Sequence, residues 1–147
     1  MKTKSLFWLL TIVLPTSVSV TATQQSAKVP QIGYLVSAFA SSTPARIEAF
    51  RQGLRELGYV EGKNIIIEFR YAEEKFDRLP VLAAELVRLK VDVVVTTGAL
   101  VTRAAKEATG TIPIVMANDT DPVINGFVAS LARPGGNITG LSTLARN

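Results

Sequence analysis

The sequence predicts an α/β protein built on an open, doubly wound parallel sheet in the strand order 2-1-3-4-5. Three observations predict it. From residue 31 onward, short apolar runs alternate with helical stripes in the order β-α-β-α-β-α-β-α-β, the pattern of a parallel sheet with helical crossovers. One run, Val91–Thr96 (VDVVVT), is nearly continuous in β-branched residues, as expected of a central strand covered on both faces. Another alternates Ile65, Ile67, Phe69 and Tyr71 with Ile66, Glu68 and Arg70, as expected of an edge strand with one wet face.

The elements follow in order. Gln31–Val36 (QIGYLV) is the first strand, and a small-residue loop, Ser37–Ser42, leaves it. Thr43 and Pro44 then read as N-cap and first helical residue. Ile47, Phe50, Leu54 and Leu57 repeat as one buried helical face, Gly58 is the expected C-cap, and Gly62-Lys63-Asn64 turns the chain into the edge strand. Asp77 is the expected cap of a second helix, whose buried face is Leu79, Leu82, Leu86 and Leu89. Pro80 falls in its first turn, where it is tolerated. After the central strand, Thr97-Gly98 leads into a third helix over Leu100–Ala108, with a small face of Val101, Ala104, Ala105 and Ala108 that can lie close on a sheet. Ile112–Met116 is the fourth strand. The polar turn Asn118–Pro122 opens an expected fourth helix ending near Arg133, Pro134–Asn137 breaks it, and Ile138–Thr143 (ITGLST) is the fifth strand.

The amino terminus sets the expected compartment. Lys2 and Lys4 precede an apolar run, Leu6–Leu14, and Val20-Thr21-Ala22 offers small residues for cleavage before Thr23, so residues 1–22 read as a secretory signal peptide. The alternative is an uncleaved anchor, but Pro15 leaves the run short of the ~20 residues of a membrane span. No Cys follows, which excludes a lipid-anchored form of this sequence. Residues 23–29 are polar and without periodicity, a flexible mature terminus, and the expected location is the periplasm.

Composition removes several function classes. The 147 residues contain no Cys and no His. Disulfide frameworks, thiol nucleophiles, zinc fingers and serine-histidine triads are therefore excluded. Of 16 Lys+Arg, two lie in residues 1–22, leaving fourteen against 12 Asp+Glu, a dispersed net charge of +2. Such a balance argues against a nucleic-acid binder, which clusters its positive charge. With 48% apolar residues, a packed core is expected. The glycines do not form a phosphate loop: Ser37–Thr43 has none, and Gly135-Gly136 follows a helix rather than a strand. No cofactor is implied.

In an open α/β sheet, ligands bind beyond the strand C-termini. Three loops qualify: Ser37–Thr43, Thr96–Gly98 and Ala117–Asp121. They offer hydroxyls, a carboxamide, carboxylates and backbone N–H groups, a set that suits hydrogen bonding to a small polar ligand. Each candidate also has a structural reading. Thr97 can cap the third helix; Asp121 before Pro122 reads first as an N-cap; Ser41, Ser42 and Asn118 can be solvated loop residues. Asp119 with Asp121 could instead form a paired-carboxylate acid/base site.

Four segments carry a family resemblance: Arg46–Asn64 (RIEAFRQGLRELGYVEGKN), Phe76–Val91 (FDRLPVLAAELVRLKV), Thr111–Met116 (TIPIVM), and Asp121-Pro122 with Leu131–Ser142 (LARPGGNITGLS). Together, over about residues 30–144, they resemble the ABC-transporter substrate-binding proteins whose members include tryptophan- and tyrosine-type amino-acid binders. The resemblance implies one lobe of a type I periplasmic-binding fold. Residues 30–147 would be the amino-terminal lobe, with the family's second lobe absent from this sequence. It implies a solute-binding component of an ABC importer, not an enzyme, that captures a small organic solute, an amino acid among the candidates, and delivers it to an inner-membrane permease. The matching loop positions are Ser37, Ser41, Thr97, Gly98, Asn118 and Asp121. Two other functions compete: a periplasmic sensory module on the same fold, and a small periplasmic enzyme using Asp119 or Asp121.

Overall fold

Gln31–Val36 (β1) pairs in parallel with Ile66–Tyr71 (β2) on one side and with Val93–Thr97 (β3) on the other. Ile114–Asp119 (β4) and Ile138–Ser142 (β5) extend the sheet, giving the all-parallel order β2-β1-β3-β4-β5 expected from the alternating runs. The structure is a computed structural model and describes residues 28–143. The expected signal peptide at residues 1–22, and the expected mature terminus up to residue 27, lie outside the described residues.

Strand alternation sends successive residues to opposite faces. Leu35, Val94, Ile114 and Met116 point to one face, where Leu79–Arg88 (α2) and Ala99–Ala108 (α3) bury Leu82, Leu86, Val101 and Ala105 against them. Leu35, Leu86 and Ile114 are fully buried, each contributing about 2 kcal/mol from area removed from water. Ile32, Tyr34, Ile67 and Val95 point to the other face, where Pro44–Glu56 (α1) packs Ile47, Phe50 and Leu54 on them. Tyr34 sits edge-on to Phe50 with ring centroids 5.0 Å apart. The small face expected for the third helix is present, since Ala104 and Ala105 are buried.

The expected fourth helix is absent. Between β4 and β5 there is a single helical turn, Pro122–Asn125, closed by the Asn125 N–H on the Asp121 carbonyl. Gly126, at φ 70°, ends it: its N–H donates to Val123 O and the Phe127 N–H donates to Pro122 O, the paired bonds of a Schellman stop. Phe127 and Val128 then drop into the α2–α3 core instead of continuing a helix.

Three smaller expectations also change. Thr43 occupies the N-cap of α1, but its hydroxyl turns back toward the Phe39 carbonyl and makes no cap bond. Asp77 falls inside a 3₁₀ turn, Phe76–Arg78, so Arg78 holds the N-cap position of α2. Leu57 and Leu89 are each the residue after a helix end, where the stripe has rotated off the sheet, and both are exposed.

The β2–α2 connection is strained. Glu73 and Glu74 both have positive φ, 56° and 62°, and the Lys75 N–H donates to Ala72 O across them, the arrangement of a type I′ turn. Such turns favour Asn and Gly, and each Glu held there costs about 1 kcal/mol.

Candidate functional site

Ser37 follows β1, Thr97 ends β3, and these strands are neighbours, so parallel pairing brings the two residues to the same end of the sheet. Gly98, at φ 85°, turns the chain from β3 into α3. Together with Phe76 and the first turn of α3, from Ala99 to Val101, these residues line a hollow of about 160 Å³. None of its described lining residues is charged. Among the described residues, no side chain caps the start of α3, so its first-turn N–H groups face this end of the sheet without a side-chain acceptor.

The floor of the hollow is fixed from below. Thr102, fully buried in α3, donates to the Gly98 carbonyl at 3.0 Å and lies 2.9 Å from the buried Thr96 hydroxyl of β3. Since the single Thr102 proton is committed to Gly98, Thr96 is the donor between the two hydroxyls. A second support comes from the side: the Gly98 N–H donates to Asn118 O at 2.9 Å, and Asn118 is the strand partner of Thr97.

The six residues singled out in the sequence thus divide. Ser37, Thr97 and Gly98 share one hollow. Asn118 adjoins it through its backbone, while its side-chain Oδ1 accepts from the Thr143 hydroxyl at 3.0 Å. Ser41 lies in the exposed 3₁₀ turn Ala40–Ser42 and lines a separate hollow of about 410 Å³ with Thr43 and Arg46. Asp121 accepts the Ile124 N–H at 3.0 Å, the N-cap bond of the single turn that follows. Its neighbour Asp119 is buried, and Asp119 Oδ1 accepts the Asp121 N–H and the Asn125 carboxamide. Both carboxylates therefore hold the β4–β5 turn.

Sequence reasoning passed over Phe76 and Leu100, the large apolar residues of the hollow. Phe76 is in step with Leu79, Leu82 and Leu86, so spacing alone reads it as core. It sits instead in the 3₁₀ turn and is 52% exposed. The signal that separates it is Pro80, which marks the true helix start just beyond it.

Known proteins share this frame. Over 95 residues the chain is 38% identical to the tyrosine-binding protein of Clostridioides difficile (strain R20291), a match covering 65% of this chain and 28% of that protein. Among solved structures, a ligand-free, open substrate binding protein with adhesive properties from Clostridium difficile matches with a TM-score of 0.74 and 29% identity, over 80% of this chain and 40% of that one. The ABC domain from Streptococcus pneumonia in complex with L-Trp matches with a TM-score of 0.71 and 30% identity, over 77% and 38%. The chain spans less than half the length of each of these proteins. The fold is one lobe of such a binding protein, and the model of the ABC transporter substrate binding protein family matches residues 34–146; the chain belongs to that family.

Proposed function

We propose that this chain is the exported solute-binding component of an ABC importer, and that it takes up an amino acid at the strand ends. The observation that carries the reading is the neutral hollow formed by Ser37, Thr97 and Gly98 beside the uncapped start of α3. Hydroxyls and free N–H groups of this kind receive a carboxylate without burying a charged side chain of the protein. The L-Trp complex and the tyrosine-binding relative support the same solute class.

The hollow is about 160 Å³, against at least ~300 Å³ for a usual small-molecule pocket. One lobe therefore supplies part of the contact surface, and a facing lobe supplies the rest. Ligand touching both lobes stabilises their closed arrangement, which docks on the permease; a partner hydrolyses the ATP. Residues 1–22 direct export to the periplasm and are removed there.

The test is calorimetry of the chain against an amino-acid panel, repeated with Thr97→Val. Loss of one hydrogen bond should weaken binding about tenfold while leaving the thermal midpoint in place. A panel with no ligand at millimolar concentration overturns the reading. For export, the amino-terminal sequence of periplasmic protein should begin at or near Thr23, and retention of Met1 in a membrane fraction contradicts it.

A further inference from the structure

We propose that the free edge of β2 is a self-pairing surface, and that two copies of this chain join there, antiparallel, about a twofold axis through Phe69. The inference is independent of the binding reading and concerns the edge of the sheet opposite β5. β2 ends the strand order on its side, so one row of its backbone groups has no strand partner. The Ile66 N–H donates to Pro30 O at 2.9 Å and the Ala72 N–H to Val36 O at 2.8 Å, so the even-numbered residues face β1. The N–H and C=O groups of Ile67, Phe69 and Tyr71 therefore point outward. Among the described residues, the one backbone bridge on this edge lies ahead of them, between Glu61 and Ile65. The Phe69 carbonyl accepts from a side chain, Arg70 Nη1 at 2.9 Å, where a strand partner is lacking.

Antiparallel pairing about Phe69 sets Phe69 opposite Phe69, Ile67 opposite Tyr71 and Glu68 opposite Arg70. Ile67, Phe69 and Tyr71 then all stand in hydrogen-bonded pairs, each using both its N–H and its C=O. Glu68 and Arg70 fall in the intervening pairs, where side chains approach most closely, so each Glu68 meets Arg70 of the other copy. Within one chain Arg70 contacts Glu68 at 3.3 Å and Glu85 at 2.9 Å, two carboxylates on one guanidinium, which leaves Glu68 capacity for a second. Charge on an edge strand usually keeps copies apart. Here the order Glu-Phe-Arg joins opposite charges under the twofold axis. A register shifted by two residues sets Glu68 against Glu68 or Arg70 against Arg70, so charge also selects the register. On the α1 face the same pairing sets Phe69 against Phe69 and Tyr71 beside Ile67, covering rings that one chain leaves half-buried. Arg51 lies over the Phe69 ring on that face, and Glu61 at 2.6 Å neutralises it.

Sedimentation of the full chain tests the pairing, with dimer expected at about 100 μM and monomer at about 1 μM, as for an interface below ~1,200 Å². Glu68→Arg and Arg70→Glu should each weaken association about tenfold or more, because each sets like charges in both pairs. An equimolar mixture of the two variants should associate again, since each offers the charge the other lacks. Misfolding cannot produce that rescue. In the unsubstituted chain, amide exchange at Ile67, Phe69 and Tyr71 should slow as concentration rises, while Glu68 and Arg70 stay protected throughout by β1. A chain that is monomeric at every concentration overturns the proposal. So does a dimer that both variants leave intact, because it joins by another surface. Should either variant not fold, exchange decides, and amides at Ile67, Phe69 and Tyr71 that ignore concentration overturn the pairing.

Discussion

The single proton of the Thr102 hydroxyl links a buried helix residue to the β3–α3 loop, because it goes to the Gly98 carbonyl while Thr96 donates to the Thr102 hydroxyl oxygen. Thr102→Val removes both bonds with almost no change in volume; the Gly98 carbonyl keeps the Thr102 backbone N–H, but the buried Thr96 hydroxyl is left without its partner. The expected cost is about 2 kcal/mol, with Thr102→Ser closer to the unsubstituted chain. Urea unfolding measures it, and a Val variant of unchanged stability would show that these bonds hold nothing. Gly140 is a second residue whose chemistry is dictated by contact. Its φ is 142°, and a Cβ there would land on the Met116 carbonyl and 2.6 Å from the Met116 nitrogen. Those are backbone atoms of the neighbouring strand β4, which cannot swing aside as a side chain can. Gly140→Ala should therefore cost on the order of 3 kcal/mol and detach β5 first. Hydrogen exchange would report it as lost protection at Ile138–Ser142, and undiminished protection there would contradict the argument.

Between elements, the entry of β1 into the sheet depends on Asp92, the residue just before β3. Its backbone N–H donates to Gln31 O at 2.8 Å, and its carboxylate accepts the Gln31 N–H at 2.8 Å and Lys28 Nζ at 2.9 Å. The Lys28 ammonium, followed by the Gln31 N–H, lowers the Asp92 pKa below its ordinary value. A lowered folded-state pKa stabilises the fold above the ordinary carboxylate range, near pH ~4, and that stability is lost as pH falls through the lowered value. The side chain is 43% exposed, so solvent and salt screen the effect. Asp92→Ala should cost about 1 kcal/mol at pH 7, and the difference should close as the solution is acidified below about pH 4. Urea midpoints at several pH values test this; a difference independent of pH would assign the loss to packing. The same scale shows what spacing can and cannot reveal. Leu79, Leu82 and Leu86, and the run ending at Thr96, were legible because each buries one face against one partner layer. The missing fourth helix was not. Val123, Ile124, Phe127, Val128 and Leu131 recur at helical spacing, yet Asn125-Gly126 provides a stop after one turn. That Ser37, Thr97 and Gly98 would share one hollow was legible because strand order alone brings their ends together. Phe76 was hidden by a periodicity that it satisfies without being buried by it.

At the scale of the whole molecule, the Ser37–Thr97–Gly98 hollow and the end of the last strand lie at the same end of the sheet. The Thr143 N–H donates to Asp119 O at 2.8 Å and its hydroxyl to Asn118 Oδ1, while Asn118 O receives the Gly98 N–H. The β3–α3 loop and the segment leaving β5 thus share one residue, Asn118. A lobe that follows β5 would be joined beside the hollow, well placed to close over it. The solved relatives, of which this chain spans 38–40%, have length to spare for such a lobe. Affinity then depends on the contacts each lobe contributes. A micromolar site corresponds to about 8 kcal/mol, and keeping half of it leaves about 4 kcal/mol, a millimolar constant. The chain alone should accordingly bind amino acids near millimolar, with shifts confined to Ser37, Thr97, Gly98 and the start of α3. Fusing a family-type second lobe after Ser142 should restore affinity by roughly a thousandfold, and Thr97→Val should reduce it again without unfolding the protein. Titration of both forms against one amino-acid panel decides the matter. A micromolar ligand for the unfused chain would mean that these strand ends form a complete site, and that no facing lobe is needed to explain binding.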